Sequence, residues 1–511
     1  MKKYKLKILC ALCLLPALLT GCWHTESETA DPERLPVEDE AEITPEPVTL
    51  PAEFSLPYAA QQTLDPLTCP DGIQQTVGAL LYEGLFALDT KWEPQKVLCD
   101  TYSYDPAAFT YVFTLRSGVA FSDGSPLTAA DVAATLKRAK TTPRYGSRLS
   151  HVKTVSVAGG TVIVVLTEAN SAFPALLDIP IVKSGTESRL LPTGTGPYRY
   201  EAGEPPYLVA NESWWGGGGR PVERIRLVDT PDRDRTLYHF SSHDVQLITA
   251  DLTGTEPVSV TGDIHFQDAN TTILQYVGFN TRRPPFNSPT LRQAVALGVN
   301  RGTVISGFLL GHGTAAQFPL SPLSPLYPAK LDSVYSYNAF QTAMTAAGYN
   351  KGSSHSVTLL VNSENSFKVA AAGYIASSLS AFDLKVTVRA LPWAEYSAAL
   401  AAGNFDLYYG ESRLSADWNL TRLVGTGGSL NYGGYTDPLT DQLLASYAAA
   451  TDSAAAMAQL CTRLKVQMPL LPICFKTTSV LSQSEVLVGL NPTAANPFYG
   501  LSSLSVMLDS K

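Results

Sequence analysis

Between Phe109 and Arg116 large apolar side chains at Phe109, Tyr111, Phe113 and Leu115 alternate with Thr110, Val112, Thr114 and Arg116. A period of two predicts a strand with one buried face. Asp123-Gly124 supplies a turn. Thr128, with Asp131 three residues on, predicts a helix start: a hydroxyl caps the free N–H groups and a carboxylate sits near the dipole's positive end. The apolar run Thr161 to Leu166 predicts a second strand. In Gly194-Thr195-Gly196-Pro197-Tyr198, Gly196 permits a positive φ and Pro197 fixes the next one, as in a turn. Trp214-Trp215 reads as a packed aromatic pair, followed by a flexible loop, Gly216 to Gly219. Glu223 to Asp229 reads as a strand. Leu291, Val295 and Val299 fall at four-residue spacing behind Pro289, which predicts a helix with one apolar face. Segments at Val357 to Val361, Lys368 to Ala381, Leu384 to Arg389 and Ala394 to Ala402 then alternate strand with helix, the rhythm of α/β layering. A late helix and a strand from Leu470 to Phe475 follow.

The chain has 511 residues, more than one core accommodates, and two or three domains are expected. With 45% apolar and 16% charged residues the composition is that of a globular protein. A net charge of −9 without a basic block excludes a nucleic-acid partner. Lys2, Lys3, Lys5 and Lys7 precede the apolar run Ile8 to Leu19, which is short for a membrane span and reads as a targeting segment. It ends in Leu19-Thr20-Gly21-Cys22, which resembles a bacterial lipobox: small residues before the cleaved bond and a thiol to carry the lipid. A plain secretory signal with a chance cysteine is the alternative. Trp23 to Leu50, rich in Glu, Pro and Thr, buries too little apolar surface to offset ordering and reads as a stalk. Of seven cysteines, Cys10 and Cys13 leave with the leader and Cys22 is the lipidation site. Cys69, Cys99, Cys461 and Cys474 remain. Cys461–Cys474 is the candidate disulfide outside the cytoplasm, with free buried thiols the alternative.

The stretch Phe109 to Arg138, FTYVFTLRSGVAFSDGSPLTAADVAATLKR, resembles a signature of the family 5 solute-binding proteins, the extracytoplasmic receptors of peptide and nickel ABC importers. The resemblance recurs at Thr63-Leu64-Asp65-Pro66, at Leu81 to Phe86, at Gly194 to Tyr198 and at Ile273 to Arg301, and covers most of Leu56 to Leu508. It implies an α/β fold of the periplasmic-binding-protein type II architecture: two hinged lobes with an extra domain, mixed β-sheets flanked by helices. The organisation expected is a lipoprotein signal peptide at 1–21, a lipidated Cys22 and acidic stalk at 22–50, lobe I in three parts (51–86, 192–272 and 479–511), domain II at 87–191 and lobe III at 273–478. The protein is then expected to be a monomer on the outer face of the cytoplasmic membrane, held by its lipid anchor. It would pass short peptides, or another small solute, to the transmembrane permease subunits of an ABC importer.

The resemblance also points to a site. In peptide-binding members a strand of the kind beginning at Phe405-Asp406-Leu407 ends in an aspartate that pairs with the peptide's α-ammonium. The matching residue is Asp417 in Leu414-Ser415-Ala416-Asp417-Trp418, and an enclosed ammonium needs such a carboxylate because an unpaired buried cation is expensive. A surface or capping aspartate is the alternative. Arg413, Leu414 and Ser415 would offer a strand edge to an extended peptide, and Pro70, Asp71 and Gly72 would face them. Trp393, which core packing would equally explain, and Tyr432 are aromatic candidates. One departure stands out. Oligopeptide-binding relatives place an acidic-Pro pair shortly after the aspartate, whereas here Asn419-Leu420-Thr421-Arg422 follows, so the cargo is open to being something other than an ordinary oligopeptide.

Other chemistries find little purchase. His239 and His243 share i, i+4 spacing beside Asp244, but Phe240 stands where a metalloprotease carries Glu, and a solvated or capping role is the simpler reading. No G-x-S-x-G elbow, Walker loop or paired CxxC motif is present. The expectation is a receptor without catalytic residues, metal or cofactor. A nickel chelate or oligosaccharide cargo and a surface-anchored hydrolase are the rivals.

Overall fold

The computed structural model describes residues 50–509. The expected leader, Cys22 and the acidic segment up to residue 49 lie outside the described residues. Among the described residues no helix is long and apolar enough to cross a membrane.

Three sheets organise the chain. In the first, Ser55–Tyr58 runs parallel to Arg224–Asp229, which continues antiparallel through Tyr207–Ala210 to Tyr198–Glu201. The helix Ile73–Leu81 packs on it through Val77, Leu80 and Leu81, and the end of the chain returns to the same core with Val486, Leu490 and Phe498. The second sheet is an antiparallel set in the order Cys99–Asp105, Thr110–Leu115, Thr161–Leu166, Val152–Ala158. Its alternation is the expected one: Tyr111 and Phe113 are buried on one face, against Val132 and Leu136 of the helix Ala129–Ala139. That helix begins with a capping box. Thr128 caps the first turn while Asp131 accepts the Thr128 N–H at 3.0 Å.

The third sheet has seven strands and is mixed. Two long strands, Ile264–Phe279 and Leu470–Gln483, pair antiparallel along most of their length, with register shifts between Asn270 and Leu274 and between Gln275 and Tyr276. Leu407–Arg413 joins antiparallel to the first of them, and His355–Asn362 and Leu384–Leu391 extend the sheet in parallel. Side chains alternate between two cores. Val277, Phe279, Leu359 and Tyr409 pack on one face with Leu291, Val295 and Val299; Leu274, Tyr276, Leu360 and Tyr408 pack on the other.

Three expectations are corrected. Cys461 and Cys474 are free thiols in the cores on opposite faces of this sheet, so no disulfide joins them. Burial pushes both thiols up to about 12, which keeps them neutral. Gly196 does not take a positive φ. What it supplies is proximity, since a Cβ there would stand 2.5 Å from the Leu80 carbonyl oxygen, and one at Gly194 would stand 2.2 Å from that of Leu81. The strand expected over Leu470 to Phe475 runs on to Gln483, because the polar half Lys476 to Gln483 finds hydrogen-bonding partners on both sides.

Candidate ligand-binding cavity

A cavity of about 2000 Å³ opens between the second sheet, the third sheet and the helix Ile73–Leu81. One wall carries Pro70, Asp71 and Gly72, the start of the helix Ile73–Leu81, and Arg144, Arg148, Asn170 and Asp178. The other is the segment Arg413 to Leu430, which leaves the strand Leu407–Arg413 and turns through a short helix, Thr421–Val424.

Asp417 sits on the second wall and is only 4% exposed. Its turn is stiff. Trp418 donates its N–H to the Ser415 carbonyl at 3.0 Å and adopts a left-handed φ of 54°. For a residue with a Cβ that conformation costs roughly 1–2 kcal/mol. Burial of the indole edge-on against Trp92 and Phe475 offsets the strain. The carboxylate accepts from Ser415 Oγ at 2.5 Å, Asn419 N at 3.2 Å and Asn170 Nδ2 at 2.8 Å. All three donors are neutral, and no Lys or Arg among the described residues forms an ion pair with it. The Asn170 amide is itself oriented by Ala172 N, which donates to Asn170 Oδ1 at 3.1 Å.

The strand leading to Asp417 is half committed. Arg413 is in register with Ile273, and Leu414 N donates to Thr272 O at 2.9 Å. On its other side the neighbouring strand pairs only with Leu407 and Tyr408, and the Tyr396 hydroxyl donates to the Tyr409 carbonyl at 2.8 Å, so main-chain groups without a strand partner begin beyond it. Arg413, Leu414 and Ser415 all line the cavity, as do Pro70, Asp71 and Gly72 opposite. Trp393 and Tyr432 do not. Trp393 begins the helix Trp393–Ala402 and is 57% exposed, and Tyr432 packs edge-on against Tyr408.

The first wall holds charges that sequence reasoning missed. Arg148 pairs with Asp178, and Arg144 reaches Asp71 at 2.8 Å while also holding the Pro66 and Cys69 carbonyls. Burial lowers the Arg148 pKa, and Tyr145 and Asp417 act against that shift. Glu83 is half-buried, with Trp214 Nε1 at 2.9 Å on one oxygen and Trp215 Nε1 at 2.8 Å and Thr195 Oγ1 at 2.9 Å on the other. Desolvation raises its pKa despite those donors. The Trp214-Trp215 pair is thus an anchor for the glycine loop that follows, with Arg116 stacked 4.5 Å over Trp215. Two arginines four apart, Arg144 and Arg148, with no acid between them were the available signal for a pairing elsewhere in the chain.

His239 and His243 do not converge. His243 lies past the helix Arg233–Ser241 at a φ of 64°, and His239 Nδ1 meets Asp244 at 2.9 Å as a local cap. Among the described residues no group of three or more His, Cys, Asp or Glu is placed to hold a metal.

Comparison with known proteins agrees with this architecture. Residues 93–429 match the model of the bacterial extracellular solute-binding proteins, family 5 middle region. The glutathione-binding protein GsiB of Pectobacterium atrosepticum is 28% identical over 422 residues, spanning 77% of this chain and 82% of that protein. Among solved structures, the periplasmic murein tripeptide-binding protein MppA in its unliganded open form superposes with a TM-score of 0.74 at 18% identity, covering 90% of this chain and 98% of that one. A nickel ABC transporter protein from Bacillus halodurans gives 0.73 at 18% identity, covering 87% and 97%. The shared fold is that of the type II periplasmic binding proteins. Such proteins bind a solute for an ABC importer and are not enzymes. The walled cavity, the mixed sheets and the match over residues 93–429 place this chain in the bacterial extracellular solute-binding proteins, family 5.

Proposed function

We propose that the cargo is a short peptide whose amino terminus is held by Asp417. The observation that carries this reading is a buried carboxylate on the wall of a large cavity with only neutral donors around it. An ionised carboxylate out of water gains most from a cation, and a ligand ammonium supplies one. Arg413 to Ser415, at the cavity beyond the part of the strand that has a neighbour, offer main-chain partners to an extended chain, which suits recognition that is indifferent to side chains. Relatives named for glutathione and for a murein tripeptide support a cargo of this size.

In the same reading the segments 51–86, 192–272 and 479–511 move as one lobe against 273–478, with 87–191 as the extra domain. The register shifts in the two long strands are the place to bend. Cys22 carries a lipid that holds the protein at the outer face of the membrane, next to the permease that receives the peptide.

Titration calorimetry tests the central step. A free tripeptide should bind, its N-acetylated form should not, and Asp417→Ala should weaken binding by ~2–5 kcal/mol, the range for truncating one partner of a buried charge pair. Equal affinity for the acetylated peptide would remove Asp417 from the site.

A further inference from the structure

We infer that Arg422 is an anion subsite of the cavity, and that the cargo is an acidic short peptide carrying a carboxylate in addition to its terminal one. The assignment rests on the peptide reading above and narrows it.

The argument is one of charge matching. Most charges that line the cavity are met within the protein: Arg144 by Asp71, Arg148 by Asp178, and Asp251 by the buried Lys476. Glu83 is held by two indoles and a hydroxyl, all neutral, and His151 faces Glu168. What is left lies on a single wall. Asp417 is an anion on neutral donors, and Arg413 and Arg422 are cations with no carboxylate in ion-pair range among the described residues. Two cations that form no ion pair among the described residues thus share a wall with Asp417, and they complement a ligand that carries carboxylates beside its ammonium.

Arg422 is also held in place. Its carbonyl accepts from Leu430 N at 2.8 Å, and its Nε donates to Ser429 Oγ at 3.0 Å. A Cβ at Gly428 would stand 2.5 Å from that carbonyl oxygen, so the loop closes back on the helical turn as only glycine permits. Asn419 N donates to Asp417 and Thr421 N donates to Asn419, which links the two charged groups through consecutive turns. With Nε occupied, the two terminal nitrogens remain for a carboxylate.

The test compares tripeptides that differ by a single charge, Ala-Glu-Ala with Ala-Gln-Ala and Ala-Ala-Glu with Ala-Ala-Gln, together with glutathione, on the purified protein by calorimetry at low and high salt. The acidic form in the matching register should bind about tenfold tighter, a factor that corresponds to ~1.4 kcal/mol. Arg422→Gln should abolish the preference, and Arg422→Lys, which keeps the charge but not the fork, should retain part of it. Because the side chain is exposed, melting temperatures of both variants should match the parent, and thermal denaturation checks that each is folded. Equal binding of acid and amide in both registers, or a preference that survives Arg422→Gln, overturns the assignment while leaving the peptide reading in place. If no peptide binds in either form, the peptide reading falls and the subsite with it.

Discussion

The two walls of the cavity use charge in opposite ways. On the wall of Asp71, Arg144, Arg148 and Asp178 each charge is met by an opposite one within the protein. On the wall from Arg413 to Leu430, Asp417 and Arg422 are held in position by neutral groups and form no salt bridge among the described residues. A closed pair contributes to the fold and is screened from a ligand. A charge that is pre-oriented yet unmatched contributes to recognition, because its electrostatic complement arrives with the cargo. If the proposed site holds the cargo, the difference separates stability from binding by position, and each side of it can be tested.

The largest effect is expected on the consumed wall. Arg148→Met leaves Asp178 without its partner in a largely buried place, and loss of one member of a buried pair costs ~3–5 kcal/mol of stability. Since Arg148 and Asp178 are 21% and 12% exposed, the lower end applies. Chemical denaturation measures the loss, and the double variant Arg148→Met with Asp178→Leu should recover most of it. Failure of the double variant to recover would show that the two charges do more than satisfy each other.

Glu83 sharpens the same point through pH. Its pKa is raised above the ordinary 4.5, chiefly by desolvation, so the folded protein binds a proton that the unfolded chain has lost. By linkage, the contribution of Glu83 to stability rises as pH falls from above the raised value toward 4.5 and then levels off. Glu83→Gln should remove that slope. The fluorescence of Trp214 and Trp215, whose indoles donate to this carboxylate, should follow the titration in the parent and lose that dependence in the variant. A parent whose stability rises with pH across that window, with the slope unchanged in Glu83→Gln, would contradict the desolvated carboxylate.

Much of the fold was legible because its signals are local. The alternation around Tyr111 and Phe113, the Thr128–Asp131 box and the Pro289 helix each rest on residues a few positions apart. The family signature extended that to the architecture. The second half of the strand Leu470–Gln483 was not legible, since a run of Lys, Thr, Ser and Gln looks like surface until its partners on both sides are known. The site divides along the same line. Asp417 and Arg413 to Ser415 form one continuous segment, and Pro70 to Gly72 another, so a motif could mark them. The partner of Asp417 is Asn170, 247 positions away, and Arg148 meets Asp178 across the two strands Val152–Ala158 and Thr161–Leu166; no local pattern announces either. Trp393 and Tyr432 mislead for a related reason, since an aromatic near a motif carries no information about which face of its element it occupies.

The smallest expected effect bears most directly on the contrast between walls. Asp71 is the one charge of the consumed wall that stands well out in solvent, its side chain 87% exposed, and Arg144 keeps the Pro66 and Cys69 carbonyls when the acid is gone. An exposed pair of this kind contributes ~0–1 kcal/mol, so Asp71→Ala should leave the melting curve nearly unchanged. It should also leave peptide affinity within about a factor of five, because 1 kcal/mol is the most such a pair holds. Freed Arg144 would face the cavity as a third unmatched cation, and any shift should therefore favour acidic over neutral peptides. A large loss of affinity in Asp71→Ala would mean that this acid meets the ligand rather than Arg144, and the division between a self-paired wall and a recognising wall would no longer hold.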